Sequence, residues 1–129
     1  MLENVRSLTT LFDAPVQTAA SAFHLLIMGP DLFLAQALPK HGAPTIGRDN
    51  ADIRITDPLA SRLHARLHIA EGGHFEIEDV GSINGTKVRG VALAHGERVA
   101  VLPGEAVTIG STILMVQETR AAARNRRVW

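Results

Sequence analysis

Between Leu63 and Ile69 the chain alternates strictly, with Leu63, Ala65, Leu67 and Ile69 apolar and His64, Arg66 and His68 polar between them. No helix gathers a period of two onto one face, so the pattern predicts a strand with one buried and one polar side. Glu71-Gly72-Gly73 then supplies a tight turn, after which Phe75 and Ile77 alternate with Glu76 and Glu78. The two runs read as a β-hairpin.

The rest of the chain repeats this texture. Short runs at Phe23 to Met28, Leu32 to Leu38, Thr45 to Ile46, Ile53 to Ile55, Lys87 to Val88, Val91 to Leu93, Arg98 to Val101, Ala106 to Ile109 and Thr112 to Gln117 bring the number of strands to about eleven. Gly29-Pro30-Asp31, Gly42, Asp57-Pro58, Gly90, Gly96, Pro103-Gly104 and Gly110-Ser111 punctuate them. Many short strands with one apolar face each must bury those faces against a second sheet, which predicts an all-β antiparallel sandwich. With 46% hydrophobic but only 4% aromatic residues, its interior must be filled mainly by Val, Ile, Leu and Ala.

At 129 residues there is room for one core with flanking tails. Residues 1–22 show no steady period and read as a mostly unstructured leader with a packed segment at Leu8 to Phe12. Residues 23–117 read as the domain. Residues 118–129 read as a basic tail or linker, with Arg120, Arg124, Arg126 and Arg127 against Glu118 and weak helix potential around Ala121 to Arg124. Trp129 directly after Arg126-Arg127-Val128 reads as the entrance to another domain, making the chain a fragment of something longer.

Thirteen basic and thirteen acidic residues leave no global field to draw the chain onto nucleic acid or an anionic membrane, and no direct nucleic-acid contact by the domain is expected. The absence of cysteine excludes disulfides, thiolate metal sites and cysteine nucleophiles. No signal sequence and no apolar run near the roughly 20 residues of a membrane helix is present, so the sequence reads as soluble and cytoplasmic. Phosphate-loop and nucleophile-elbow motifs are absent as well. Asn84-Gly85-Thr86 matches a glycosylation sequon, which carries no weight without a signal peptide. None of His24, His41, His74 or His95 has the spacing of a metal ligand, and no metal or cofactor is expected.

Three fragments lie at the ends of short apolar runs, hence on loops: Ile46-Gly47-Arg48, Ser61-Arg62-Leu63-His64 and Gly81-Ser82-Ile83-Asn84-Gly85-Thr86. They offer a guanidinium, a hydroxyl and a carboxamide to a common point, the chemistry of an anion site that reads a phosphorylated side chain and the backbone beside it. With Pro103-Gly104-Glu105 and Ile109-Gly110 in register behind them, they resemble a forkhead-associated (FHA) domain covering roughly Phe23 to Gln117. The resemblance implies an eleven-stranded β-sandwich whose loops at one end bind threonine-phosphorylated partners, with no catalysis.

On that resemblance Arg48 is a phosphate ligand, a role a planar fork of donors suits better than a point charge. Ser61 is the second phosphate contact, through its hydroxyl or its backbone amide, and it could equally cap the turn after Asp57-Pro58. Asn84 holds the peptide main chain, although Asn84-Gly85 is also a strong hairpin-turn signal. Arg62 reaches either the phosphate or a peptide side chain. Gly47, His64 and Gly85 support the site, His64 by bracing the loops. His64 and His68, four apart, would share one strand face. The family commonly has Thr where this chain has Ile83, so one hydroxyl toward the phosphate is missing; Ala60 replaces a larger aliphatic.

The resemblance extends to the N-terminal FHA module of bacterial sigma-54-dependent transcriptional regulators through Phe23 to Pro30, Asp57 to Arg62 and Arg126 to Trp129. Two functions from different classes follow. One is a phosphothreonine-dependent signalling module of a larger regulator, and the other is a phosphate-independent scaffold, which Ile83 permits. The oligomeric state is not legible in the sequence.

Overall fold

The protein's structure, a computed structural model, describes residues 22–119. Expectations for the leader, including Leu8 to Phe12, and for the tail around Ala121 to Arg124 and Trp129, fall on residues outside this range. Eleven strands follow one another: β1 (Phe23–Gly29), β2 (Leu32–Ala37), β3 (Thr45–Gly47), β4 (Ile53–Arg54), β5 (Ala65–Ala70), β6 (His74–Asp79), β7 (Thr86–Val88), β8 (Val91–Ala92), β9 (Arg98–Val101), β10 (Ala106–Ile109) and β11 (Thr112–Glu118).

They form two sheets, a six-stranded one in the order β2-β1-β11-β10-β7-β8 and a five-stranded one in the order β4-β3-β5-β6-β9. The expected hairpin is β5 and β6, turned at residues 71–73 and registered Leu67 to Ile77. Every strand pair is antiparallel except β3 with β4, which run parallel. The segment between them leaves the sheet end, passes through Arg48 and Asn50 (φ 56°), and re-enters in the same direction.

The core is aliphatic, as the low aromatic content requires. Leu25, Ile27, Val107, Ile109, Leu114 and Val116 project from one sheet onto Ile46, Leu67, Ile69, Ile77 and Val101 of the other, all buried. Each such side chain contributes about 1.5 to 3 kcal/mol relative to exposure. Phe75 and Phe23 meet edge to face at 5.0 Å near one end of the sandwich.

The alternation that predicts β5 fails at its first two residues. Leu63 is 47% exposed, whereas His64 is completely buried. The strand begins only at Ala65, because the preceding backbone bends so that the His64 amide donates to the Ile46 carbonyl (2.8 Å). His64 and His68 therefore do not share a face: His68 points outward to Glu78 (2.7 Å), and His64 points in.

Candidate functional site

Three segments converge at one end of the sandwich. Arg48 follows β3 directly, residues 57–63 lead into β5, and residues 80–85 carry the chain from β6 in one sheet to β7 in the other. Asn84-Gly85 is thus a crossing between sheets and not the turn of a hairpin, with φ positive at Gly85 (89°) and not at Asn84.

Gly47 makes the first approach. A Cβ there would lie 1.9 Å from the Arg62 carbonyl oxygen, so only glycine lets β3 run against the 61–63 backbone. The amides of Arg48 and Asp49 then donate to the carbonyls of Ser61 (3.0 Å) and Arg62 (3.2 Å). Arg48 Nε donates to the Ala60 carbonyl (2.9 Å). That bond fixes the guanidinium plane and leaves its two terminal nitrogens without a partner among the described residues.

Ser61 is held from both sides. Its amide donates to His64 Nδ1 (2.9 Å) and its Oγ accepts the Ile83 amide (3.0 Å). Of the two groups the sequence offered for an anion, the amide is engaged, and the hydroxyl hydrogen is the donor that remains. The other nitrogen of His64 bonds the Gly85 carbonyl (2.9 Å). Since Nδ1 accepts, Nε2 carries the hydrogen and donates. One buried imidazole therefore links the Ser61 loop to the Gly85 loop.

Asn84 adds a second link, its amide nitrogen donating to the Leu59 carbonyl (2.8 Å) and its Oδ1 staying open. Arg48, Pro58, Leu59, Ala60, Ser61, Arg62, Leu63, Gly81, Ile83 and Asn84 line one open groove of about 390 Å³. All five residues expected to contact a ligand, Arg48, Ser61, Arg62, Ile83 and Asn84, are thus brought together. Gly47, His64 and Gly85 lie behind them. Ile83 is 89% exposed at the rim.

Sequence reading missed two kinds of residue. Leu59 and Leu63 are exposed beside Ile83 and make the groove's walls aliphatic, but Leu63 was counted into the strand's buried face. Asp57 and Asp79 are buried carboxylates beneath the loops. Asp79 accepts from the Gly81 and Ser82 amides (2.9 and 2.8 Å) and from the Ser82 and Thr86 hydroxyls (2.5 and 2.8 Å). Asp57 accepts from the Leu59 and Ser111 amides (2.9 and 2.7 Å) and from the Thr112 hydroxyl (2.9 Å). Burial alone would raise both carboxyls. The donors outweigh it, led by the Ser82 hydroxyl for Asp79 and the Leu59 amide for Asp57, and hold both below their ordinary value. The only signal for Asp57 was its turn position before Pro58.

Among the described residues no three His, Cys, Asp or Glu side chains gather as metal ligands, and no helix is long and apolar enough to cross a membrane. What the geometry presents is two unpaired guanidinium nitrogens, a hydroxyl donor and an open carboxamide oxygen in one aliphatic-walled groove.

The family profile of the FHA domain matches residues 45–110, which spans all three loops and more than half of the chain. The chain belongs to the FHA domain family, a family of binding modules. Among solved structures, the FHA domain of a Chlamydia trachomatis protein is similar at a TM-score of 0.70 and 27% identity, covering 75% of this chain and 97% of that one. Another, solved in a study of phosphothreonine-dependent FHA domain interactions, shares the fold at a TM-score of 0.61 and 22% identity over 74% and 97% of the two chains.

Among curated proteins, an ABC transporter ATP-binding/permease protein of Mycobacterium tuberculosis is 42% identical over 88 residues, 67% of this chain and 10% of the transporter. The glycogen accumulation regulator GarA of Mycolicibacterium smegmatis is 40% identical over 57 residues, 40% of this chain and 35% of the regulator. The oxoglutarate dehydrogenase inhibitor of Corynebacterium glutamicum is 42% identical over 71 residues, 54% of this chain and 48% of the inhibitor. The chain spans less than half the length of each of these three relatives.

Proposed function

We propose that this domain reads a phosphothreonine in an extended peptide and thereby docks a phosphorylated partner onto a larger bacterial regulatory protein of the cytoplasm. The observation that carries the reading is the tethered guanidinium of Arg48. With Nε occupied by the Ala60 carbonyl, its terminal N–H groups are pre-oriented toward the groove, so little freedom remains to be lost when a dianion arrives. The Ser61 hydroxyl donates to the same phosphate, and the open Asn84 Oδ1 accepts a peptide N–H. Arg62, exposed at the rim, meets a phosphate oxygen or an acidic side chain nearby. Ile83, Leu59 and Leu63 pack on the threonine methyl and its neighbours.

The resemblance to the N-terminal module of sigma-54-dependent regulators supports a transcriptional regulator as the parent. The parts of such a regulator that hydrolyse ATP and contact DNA would then belong to other domains. The reading is tested by calorimetry with a phosphothreonine peptide and its unphosphorylated form. Binding is expected for the first alone, and Arg48→Ala is expected to weaken it by about 2 to 5 kcal/mol with the fold intact. Equal binding of both peptides would instead establish a phosphate-independent scaffold.

A further inference from the structure

The two outward faces of the sandwich differ in kind. The five-stranded sheet shows solvent a lattice of cross-strand charges, His68 with Glu78 and Arg98 with Glu76 among them. On the six-stranded sheet, β2, β1 and β11 present Phe33, Ala35 and Ala37, then His24, Leu26 and Met28, then Ile113, Met115 and Gln117. None of these nine carries a carboxylate, ammonium or guanidinium. Phe33 is 72% exposed.

The edges differ in the same way. Of the four edge strands, β4 and β8 have two residues each, and β9 opens with the exposed, charged Arg98. Natural sheets blunt their edges by such means. β2 is six residues long, Leu-Phe-Leu-Ala-Gln-Ala, with neither charge nor proline. Its hydrogen-bonding phase is fixed by the Leu38 amide donating to the Phe23 carbonyl (3.0 Å). Counting back by twos, Gln36, Leu34 and Leu32 exchange bonds with β1, so Phe33, Ala35 and Ala37 turn their N–H and C=O groups to the open edge.

We infer that this edge pairs with the same edge of a second copy of the chain, β2 antiparallel to β2, joining the two six-stranded sheets across a twofold axis at Ala35. The sequence is self-complementary in that register. Phe33 falls opposite Ala37 of the second copy, large against small, and Ala35 opposite itself. Asp31 precedes the strand and Lys40 follows it, so antiparallel pairing turns the acidic end of each copy toward the basic end of the other. Neither Asp31 nor Lys40 has an ion-pair partner among the described residues. An isologous contact repeats each residue against its mate, so an edge without charge at its centre meets no repulsion there.

Asp31 and Leu32 border the same small cavity as Asp57 and Pro58, which puts that end of β2 beside the phosphate groove. Antiparallel pairing therefore sends the two grooves to opposite ends of the dimer. The dimer would engage two phosphorylated sites at once, a linked pair more tightly than either alone.

Sedimentation velocity of the full 129-residue chain from roughly 5 to 500 μM tests this without any phosphopeptide. A reversible monomer–dimer equilibrium is expected. Ala35→Pro removes an outward N–H that β1 does not use, and Phe33→Lys places a charge on the edge; each should weaken dimerisation at least about tenfold. Asp31→Lys should weaken it less, and Asp31→Lys combined with Lys40→Asp should restore it. Arg48→Ala should dimerise like the parent, so failure here is distinguishable from failure of the phosphate reading. If circular dichroism shows Ala35→Pro misfolded, Phe33→Lys decides alone. A monomer throughout the range, a dimer unaffected by Phe33→Lys, or a dimer lost with Arg48→Ala would overturn the assignment.

Discussion

Asp57 and Asp79 perform the same task in two loops by opposite routes. Both are buried and ionised beneath the groove, and both satisfy backbone amides of the loops above them. All four hydrogen bonds that the Asp79 carboxylate accepts come from within seven residues of it, so the side chain closes residues 79–86 on themselves. Asp57 takes one bond from Leu59 and two from Ser111 and Thr112, more than fifty residues along, in the β10–β11 turn. The Asn84 loop is therefore largely a local structure, while the Ser61 loop exists only once the sheets have closed. His64 ties the two together.

Removing the carboxylates separately tests this contrast most strongly. Asp79→Ala strands four donors in a dry site and is expected to destabilise by about 3 kcal/mol or more in urea denaturation. Asp57→Ala strands three and should cost about 2 kcal/mol, with the additional sign that the Ser111 amide loses hydrogen-exchange protection. Equal losses, with protection unchanged at Ser111, would erase the distinction between a local and a long-range anchor.

Acid should affect both anchors. Each carboxyl is held below its ordinary value of 3.8 in the fold, so the folded protein resists protonation more than the unfolded chain does. The stability they contribute is fully present above that value and is lost as pH falls through the lower, folded one. Urea midpoints measured from pH 6 downward should drop below about pH 4, and less steeply in Asp79→Ala than in the parent.

His64→Ala sharpens the comparison at the link itself. It releases the Ser61 amide and the Gly85 carbonyl and should lower stability by about 1 to 3 kcal/mol, with phosphopeptide affinity falling less than in Arg48→Ala. An unchanged melting temperature with binding abolished would make His64 a direct ligand. Ile83→Thr carries the smallest effect. The side chain is almost fully exposed, so the fold should not respond, and a hydroxyl there should tighten phosphopeptide binding by no more than about 1.5 kcal/mol. A gain shared by the unphosphorylated peptide would place position 83 away from the phosphate.

Alternation and turn residues carried most of the strand positions, because a period of two and a glycine with positive φ are properties of a few consecutive residues. They misassigned Leu63 and His64, since what turns that imidazole inward lies at Ile46 and Gly85. The parallel pairing of β3 with β4 was equally illegible, as direction depends on how the short segment 48–52 folds back against the sheet.

The groove's chemistry divides along the same line. That a guanidinium, a hydroxyl and a carboxamide stand on loops was written in the order Gly47-Arg48, Ser61, Asn84. Which atoms of those groups stay free was not. The Ser61 amide is taken by His64, Arg48 Nε by Ala60 and the Asn84 amide nitrogen by Leu59, each partner on the loop bearing it or the one beside it. Local sequence determined the strands, their turns and the kinds of donor available, because these follow from steric and solvation preferences of neighbouring residues. Tertiary structure alone decided which donors remain for a ligand and which carboxylates hold the loops, because a hydrogen bond saturates its atoms and its partner is known only when distant segments meet.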